Sequence, residues 1–584
     1  MKRNRYSSFI TNTLTVLFFV YSSSLFSQQE SLISDDQKIN QVSYSTSDTL
    51  LQNLFDLAER KAAENVRVFS PNYTVLVEGG EYPFVWLETQ PMGGVMYAKR
   101  NLQVAHDNMT IFLENQRKSG RIPGMIIPMN NNIWNLKDLQ ITDNGKLGVF
   151  SETLQGFFVP GPGLELYYLL DRDTAYLNLI SRSFEAYDTY LWKYRDSDGD
   201  GCLESWCQTD AGEDFLLRYD YAPFVWPFDY PPVKGKIPDD STFMKKYWVA
   251  SQYKNYTDDK NPMPVESIDV MCYSYTCRDV LAKISALKKD GKEAYWRKKA
   301  DEVLAKMKDY LWIPEKNAYF YRDKFNQIIP SLTHNNLRAM YFGAMTQPMA
   351  DNFIRYHLLN PDEFWTSMPL PSIAANDPYF RNFSNNNWSG QPEGLTYQRA
   401  IKALENYGHF AEVTLIGQKL LGKIAQSKQF TQQFDPFTSG QNGQDGYGPT
   451  ILAVLEYYSR MFGVYPENDT IHFNGLPSEQ IYSYSQKLNK DNFKLVQDNN
   501  QITGSLNDRE IFRSTAGIKV MTDLKGNILG IAGIDTLVRN VKFETGGKSY
   551  RAEIDPNGLY RIKEGKIRLV KKVPFDYPFR KLER

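Results

Sequence analysis

The sequence predicts a mainly α fold: an (α/α)6 toroid of six helical hairpins, followed by a small C-terminal β-rich domain. Three observations predict it. Apolar residues recur at helical spacing through residues 49–473, with room for roughly twelve helices. Long loops rich in Gly, Pro, Asn and Asp separate the stripes, as they would where a helical ring builds a pocket. From residue 474 the texture changes to short β-type runs divided by turn signals. At 584 residues the chain exceeds one ordinary core, so two or three domains are expected.

The elements follow in order. Residues 1–27 read as an export signal: Lys2, Arg3 and Arg5 precede an apolar run from Phe9 to Tyr21 and the small residues Ser22, Ser23 and Ser24. Residues 28–48 are polar and read as a flexible or surface-draped segment. The helical body is expected over 49–473. In residues 299–311, for example, Ala300, Val303, Leu304, Met307, Tyr310 and Leu311 form an amphipathic stripe. Similar stripes cover 52–64, 92–116, 164–191, 271–287, 401–424 and 449–461. The long loops fall at 197–238, 371–393 and 431–447. No fixed-period repeat supports a solenoid. The β domain is expected over 474–584, with strands near 517–521, 528–531, 538–543 and 567–570.

Charge narrows the partners. The formal charge is −1, and removing the signal leaves −4, so no basic excess attracts nucleic acid. No stretch beyond the signal is long and apolar enough to span a membrane. The expected location is therefore exported, periplasmic or secreted. Cys202 with Cys207 and Cys272 with Cys277 do not match a zinc ribbon; local disulfides, one disulfide between the pairs, and four free thiols all remain open. His106, His334, His357, His409 and His472 show no metal spacing and read as structural. No phosphate-cradling loop, nucleophile elbow or dinucleotide fingerprint is present. The 38 Tyr, 34 Phe and 10 Trp suit sugar faces and helical cores equally well.

The chemistry concentrates in residues 195–220. Asp210-Ala211-Gly212-Glu213-Asp214 follows Arg195-Asp196-Ser197-Asp198-Gly199-Asp200-Gly201, and Arg218-Tyr219-Asp220 closes the stretch. This resembles the trehalase-like, processing-glucosidase-like and mannosylglycerate hydrolase group (glycoside hydrolase families 37 and 63). There R-D-x-D-G-D-G-L leads to E-S-G-x-D-x-x-x-R-[WY]-D. Further pieces match in order: Trp86-Leu87-Glu88-Thr89, Gly120-Arg121-Ile122-Pro123-Gly124, Ser267-Ile268-Asp269-Val270 and Asn387-Trp388-Ser389-Gly390-Gln391-Pro392. The resemblance implies a six-hairpin glycosidase, exo-acting and inverting, on an oligosaccharide or glycan, with no organic cofactor and no catalytic metal.

The resemblance places Asp214 on the family's general acid. A carboxylic acid in a partly enclosed pocket keeps its proton near neutral pH, as a leaving oxygen requires. The family's base is a Glu in E-x-Y-D-P-x-T-G, and here Gln432 holds that position before Gln433-Phe434-Asp435-Pro436. An amide is no base. The carboxylate has therefore moved, with Glu393 the first candidate and Asp435 or Asp445 the others, or the protein binds glycans without cleaving them. A polysaccharide lyase is the weaker alternative, because the acidic loop at 210–214 does not suit a uronate. Glu88, Asp210, Arg218, Trp206, Trp388, Gln432 and Tyr447 are expected to contact the carbohydrate substrate, with Trp226 nearby. Asp196, Asp198 and Asp200 resemble the start of a calcium loop. Cys207 stands at its twelfth position instead of Glu, so a structural calcium ion is an alternative only.

Overall fold

The computed structural model describes residues 40–129, 139–151, 153–214, 264–384 and 388–577. The residues read as an export signal, Arg218 and Trp226 lie outside them. Twelve α-helices occur among the described residues: α1 (Thr49–Glu64), α2 (Gln90–Tyr97), α3 (Leu102–Glu114), α4 (Pro160–Leu169), α5 (Thr174–Tyr194), α6 (Ile268–Lys288), α7 (Glu293–Lys306), α8 (Asn335–Tyr341), α9 (Gln347–Phe353), α10 (Gly394–Glu405), α11 (Phe410–Ser427) and α12 (Gly448–Phe462). The even-numbered helices contact one another in sequence order, α2 on α4, α4 on α6, and so on until α12 returns to α2. Of the odd-numbered helices, α3, α5, α7, α11 and α1 pack outside this ring.

Burial explains the division. In α12 nearly every residue from Gly448 to Phe462 is buried, including Glu456 and Thr450, so this helix has no solvent face. In α1 only Leu54, Phe55, Ala58 and Ala62 are buried, a single stripe at helical spacing. Local signals set the ends: the Asp48 side chain accepts from the Leu50 and Leu51 amides, and Asn101, Asp173 and Ser267 cap α3, α5 and α6 likewise. Three apolar stripes that read as continuous are each two helices. The breaks fall at Asn101, at the left-handed pair Asp171-Arg172 and at Gly408.

The "mainly α" description holds only for the helical body. Residues 464–572 supply six strands of a seven-stranded and all of a six-stranded antiparallel sheet, whose faces meet where the Phe473 and Phe512 rings lie 5.4 Å apart. This region opens at Val464–Glu467, ten residues before the expected boundary. The expected flexible segment also needs correction over its last part. Gln41–Thr46 is an edge strand that pairs antiparallel with Tyr482–Leu488. Its polar residues face outward, while Tyr44 packs against Phe55, Tyr458 and Tyr482. Cys202, Cys207, Cys272 and Cys277 are all buried free thiols. Among the described residues no helix is long and apolar enough to cross a membrane.

Candidate active site

The N-terminal ends of the inner helices carry the polar residues the sequence singled out. Glu88 lies just before α2, Asp269 in the first turn of α6, His334 at the start of α8, and Glu393 and Tyr447 immediately before α10 and α12. Backbone N–H groups at such ends favour negative charge. Carboxylates dominate here.

The loop bearing Asp214 is clamped to this end of the ring. The Asp210 carbonyl accepts from the Gly156 amide (3.1 Å) and the Tyr273 hydroxyl (3.2 Å), and the Ala211 carbonyl accepts from Arg338 (2.7 Å). Gly212 adopts φ +69°, and a Cβ there would sit 2.3 Å from the Glu88 carboxylate, so only glycine admits this approach. Glu213 is fully buried, accepting from His334 Nε2 (2.7 Å) and Asn335 Nδ2 (3.2 Å). Asp214 is half-buried, and its carbonyl accepts from the Trp388 amide (3.2 Å).

Three more carboxylates gather within electrostatic reach of Asp214. Glu393 is fully buried; Gln433 Nε2 donates to its Oε1 at 2.6 Å, and its Oε2 has no hydrogen-bond partner. Burial pushes the Glu393 carboxyl well above its ordinary value, and Glu88 and Asp214 add to the rise against the Gln433 bond. Glu88 receives Gln155 Nε2 (3.2 Å) and Arg399 (3.3 Å). Burial raises it to about 7, with Arg399 and Arg338 holding it back. Glu78 was not anticipated from sequence. It accepts from the Tyr447 hydroxyl at 2.7 Å, and burial followed by the Glu88 charge pushes it well up. Tyr82 was also missed; its hydroxyl donates to Gln432 Oε1 at 3.2 Å.

Several expected substrate contacts are committed to partners within the protein. Asp210 is completely buried, its oxygens taken by Arg195 (2.6 Å) and by the Leu154 (3.0 Å) and Trp206 (2.8 Å) amides. Burial opposes its ionisation, but Arg195 and those amides outweigh this and hold the carboxyl low. It is a structural brace. Trp206 packs under the Arg195 guanidinium (4.4 Å) and donates to Glu204, so it fills the core. Trp388 is buried between His334 and Arg338, 5.5 Å and 5.3 Å from its ring. The Tyr447 hydroxyl serves Glu78. Glu88 and Gln432 remain at the cluster.

Neither alternative base fits. Asp435 closes its own turn through the Phe437 and Thr438 amides (2.9 and 2.8 Å), and Asp445 pairs with Lys61 (2.9 Å). Beyond α5, oxygens of Asp196, Asp198 and Asp200 lie within 4.8 Å of one another, as do those of Asp198, Glu204 and Glu266. Glu266 Oε2 is buried without a hydrogen-bond partner.

The domain model matching residues 83–450 is that of a glycoside hydrolase, so the class of this protein is a glycosidase, which hydrolyses glycosidic bonds. More narrowly, the chain belongs to the family described as the mannosylglycerate hydrolase MGH1-like glycoside hydrolase domain. Among solved structures it is similar to a GH63 mannosylglycerate hydrolase from Thermus thermophilus in complex with glucose. That likeness has TM-score 0.53 and 16% identity, covering 70% of this chain and 99% of that one. A chain described as a sialidase gives TM-score 0.58 and 11% identity, covering 83% and 42%. A neutral trehalase from Saccharomyces cerevisiae gives TM-score 0.48 and 13% identity, covering 69% and 80%. A search of curated proteins finds no match.

Proposed function

We propose that this chain is an exported (α/α)6-toroid glycosidase that removes a terminal sugar from an oligosaccharide or glycan with inversion. Asp214 is the general acid and Glu393 the base. The observation that carries this is Glu393 itself, a buried carboxylate whose Oε1 is fixed by Gln433 while Oε2 is left for a water. Its high proton affinity is no obstacle. Catalysis needs the proton on Asp214 and Glu393 ionised. Ionised Glu393 is then a strong base, and an inverting reaction leaves about 6.5–9.5 Å between the two for water. Glu88 and Gln432 supply hydrogen bonds to sugar hydroxyls. No organic cofactor is needed.

The test is hydrolysis of a panel of nitrophenyl glycosides and natural oligosaccharides, with NMR of the first-formed anomer. Wild type is expected to cleave with inversion, and Asp214→Asn and Glu393→Gln to lose about 100-fold or more. Retention of configuration would sink the base assignment. Gln432 favours a second reading, a glycan-binding protein without catalysis; it predicts sugar binding and no turnover. The acidic group at 196–200 with Glu266 supports a structural calcium ion, which predicts a lower unfolding temperature in EGTA that calcium restores.

A further inference from the structure

Two loops flank Glu393, and they are stitched together. At their base the Gly394 amide donates to the Gln432 carbonyl (2.8 Å) and the Phe434 amide to the Pro392 carbonyl (3.1 Å). Further out, a ladder of side chains joins them. Asn442 Nδ2 donates to Gln391 Oε1 (2.9 Å), Gln391 Nε2 to Asn382 Oδ1 (2.8 Å), and Asn382 Nδ2 to Asp435 Oδ2 (2.7 Å). The Arg381 amide bonds the Ser389 carbonyl at 2.8 Å, and a Cβ on Gly390 would meet the Arg381 carbonyl at 2.1 Å, so the first loop folds tightly on itself.

This polar frame holds aromatic rings out in solvent. The Phe380 and Phe437 rings lie edge to face at 5.9 Å, Phe437 is 53% exposed, and Phe383 is 52% exposed. Exposed Phe on a well-braced polar loop forgoes burial worth about 25 cal/mol per Å² and marks a surface that something else covers. The patch lies close along the chain to the acidic cluster. Phe437 is four residues from Gln433, which holds Glu393, so their Cα atoms are at most about 14 Å apart. The first loop reaches the acid as well, through the Trp388 amide on the Asp214 carbonyl.

Building on the proposed hydrolase, we propose that Phe380, Phe383 and Phe437 form a leaving-group subsite that takes a sugar residue of an oligosaccharide. Apolar ring faces stack on pyranose C–H faces. A small acid such as glycerate has no ring to stack. The substrate is therefore an oligosaccharide of at least two sugars.

The experiment compares wild type with Phe383→Ala and Phe437→Ala on glycosyl fluorides, whose leaving group has no ring, and on matched di- to tetrasaccharides. Both positions are solvent-exposed, so the fold survives. The expected result is about a ten-fold fall in kcat/KM on oligosaccharides, carried by KM, with glycosyl fluoride turnover unchanged. Equal loss on both substrates, or none on the oligosaccharides, overturns the subsite. If wild type cleaves neither, the hydrolase reading fails, and binding to an array of the same di- to tetrasaccharides decides the platform. Retention by wild type that a double variant combining Phe383→Ala and Phe437→Ala loses supports it. Retention that survives the double variant, or no retention at all, overturns it.

Discussion

The two ends of the inner helices treat the same side chain in opposite ways. At the N-terminal ends Glu78, Glu88 and Glu393 are buried beside Asp214, and burial drives all three carboxyls up. At the C-terminal ends Glu456 and Glu405 are buried too, but inside a chain of alternating charges. Lys99 pairs with Glu456, Arg460 with both Glu456 and Glu405 (3.5 Å to the latter), and Lys519 from the β region with Glu405 at 3.2 Å. Burial works against ionisation there as well, yet the cations outweigh it and hold both glutamates down. Burial alone therefore does not set the chemistry. The partner decides whether a buried glutamate is an ionised tie or is pushed towards its protonated form.

Removing a tie should have the largest effect on stability. Glu405→Ala leaves Lys519, 2% exposed, without its counter-charge. Loss of one partner of a buried pair costs about 3–5 kcal/mol. Urea unfolding measures it, and a change under about 1 kcal/mol would show that the β region adds nothing through this link. The sign with pH is fixed. Glu405 and Glu456 have depressed folded values, so their contribution is present above about pH 4.5 and is lost as pH falls through the folded values.

The opposite end should respond in activity and leave stability intact. Glu393→Gln is expected to abolish about 99% of turnover. Its unfolding midpoint should hold or rise, because the variant removes a desolvated carboxylate with an unpartnered oxygen. A large drop in the midpoint would make Glu393 a structural residue and return the question of the base to Glu78. Gly212→Ala adds a Cβ into the Glu88 carboxylate at a left-handed position, so a loss of about 1–2 kcal/mol together with reduced activity is expected. Full activity in that variant would mean Glu88 has room to move.

This contrast also explains what the sequence could tell. The helices were readable because helix periodicity is local, and the family because the residues around Asp214 form a continuous motif. The strand at Gln41–Thr46 was not, since its partner lies at Tyr482–Leu488 and its own residues look polar. Glu78 was equally hidden: a single acid after the apolar run Val75-Leu76-Val77 gains its meaning only from Tyr447, 369 residues away. Asp210 and Trp206 were misread because acid and aromatic residues in a pocket loop suit sugars. Arg195, which engages both, was inside the same motif, and a guanidinium fifteen residues upstream was the available signal.

The smallest expected effect sharpens the comparison most, because it isolates one carboxyl between the two regimes. Glu88 is buried like its neighbours but half-paired by Arg399, which leaves it at about 7. Its folded value lies above the unfolded one, so the protonated form is favoured by folding. The associated stability is present below about pH 4.5 and is lost as pH rises through about 7, opposite in sign to the Glu405 contribution. Unfolding free energies measured from pH 5 to 8 should fall with pH in wild type, and the fall should flatten in Glu88→Gln. The difference in slope is expected to amount to about 1–2 kcal/mol across that window. An unchanged slope would mean that Arg399 fully neutralises Glu88, placing it with the ties at the far end of the ring.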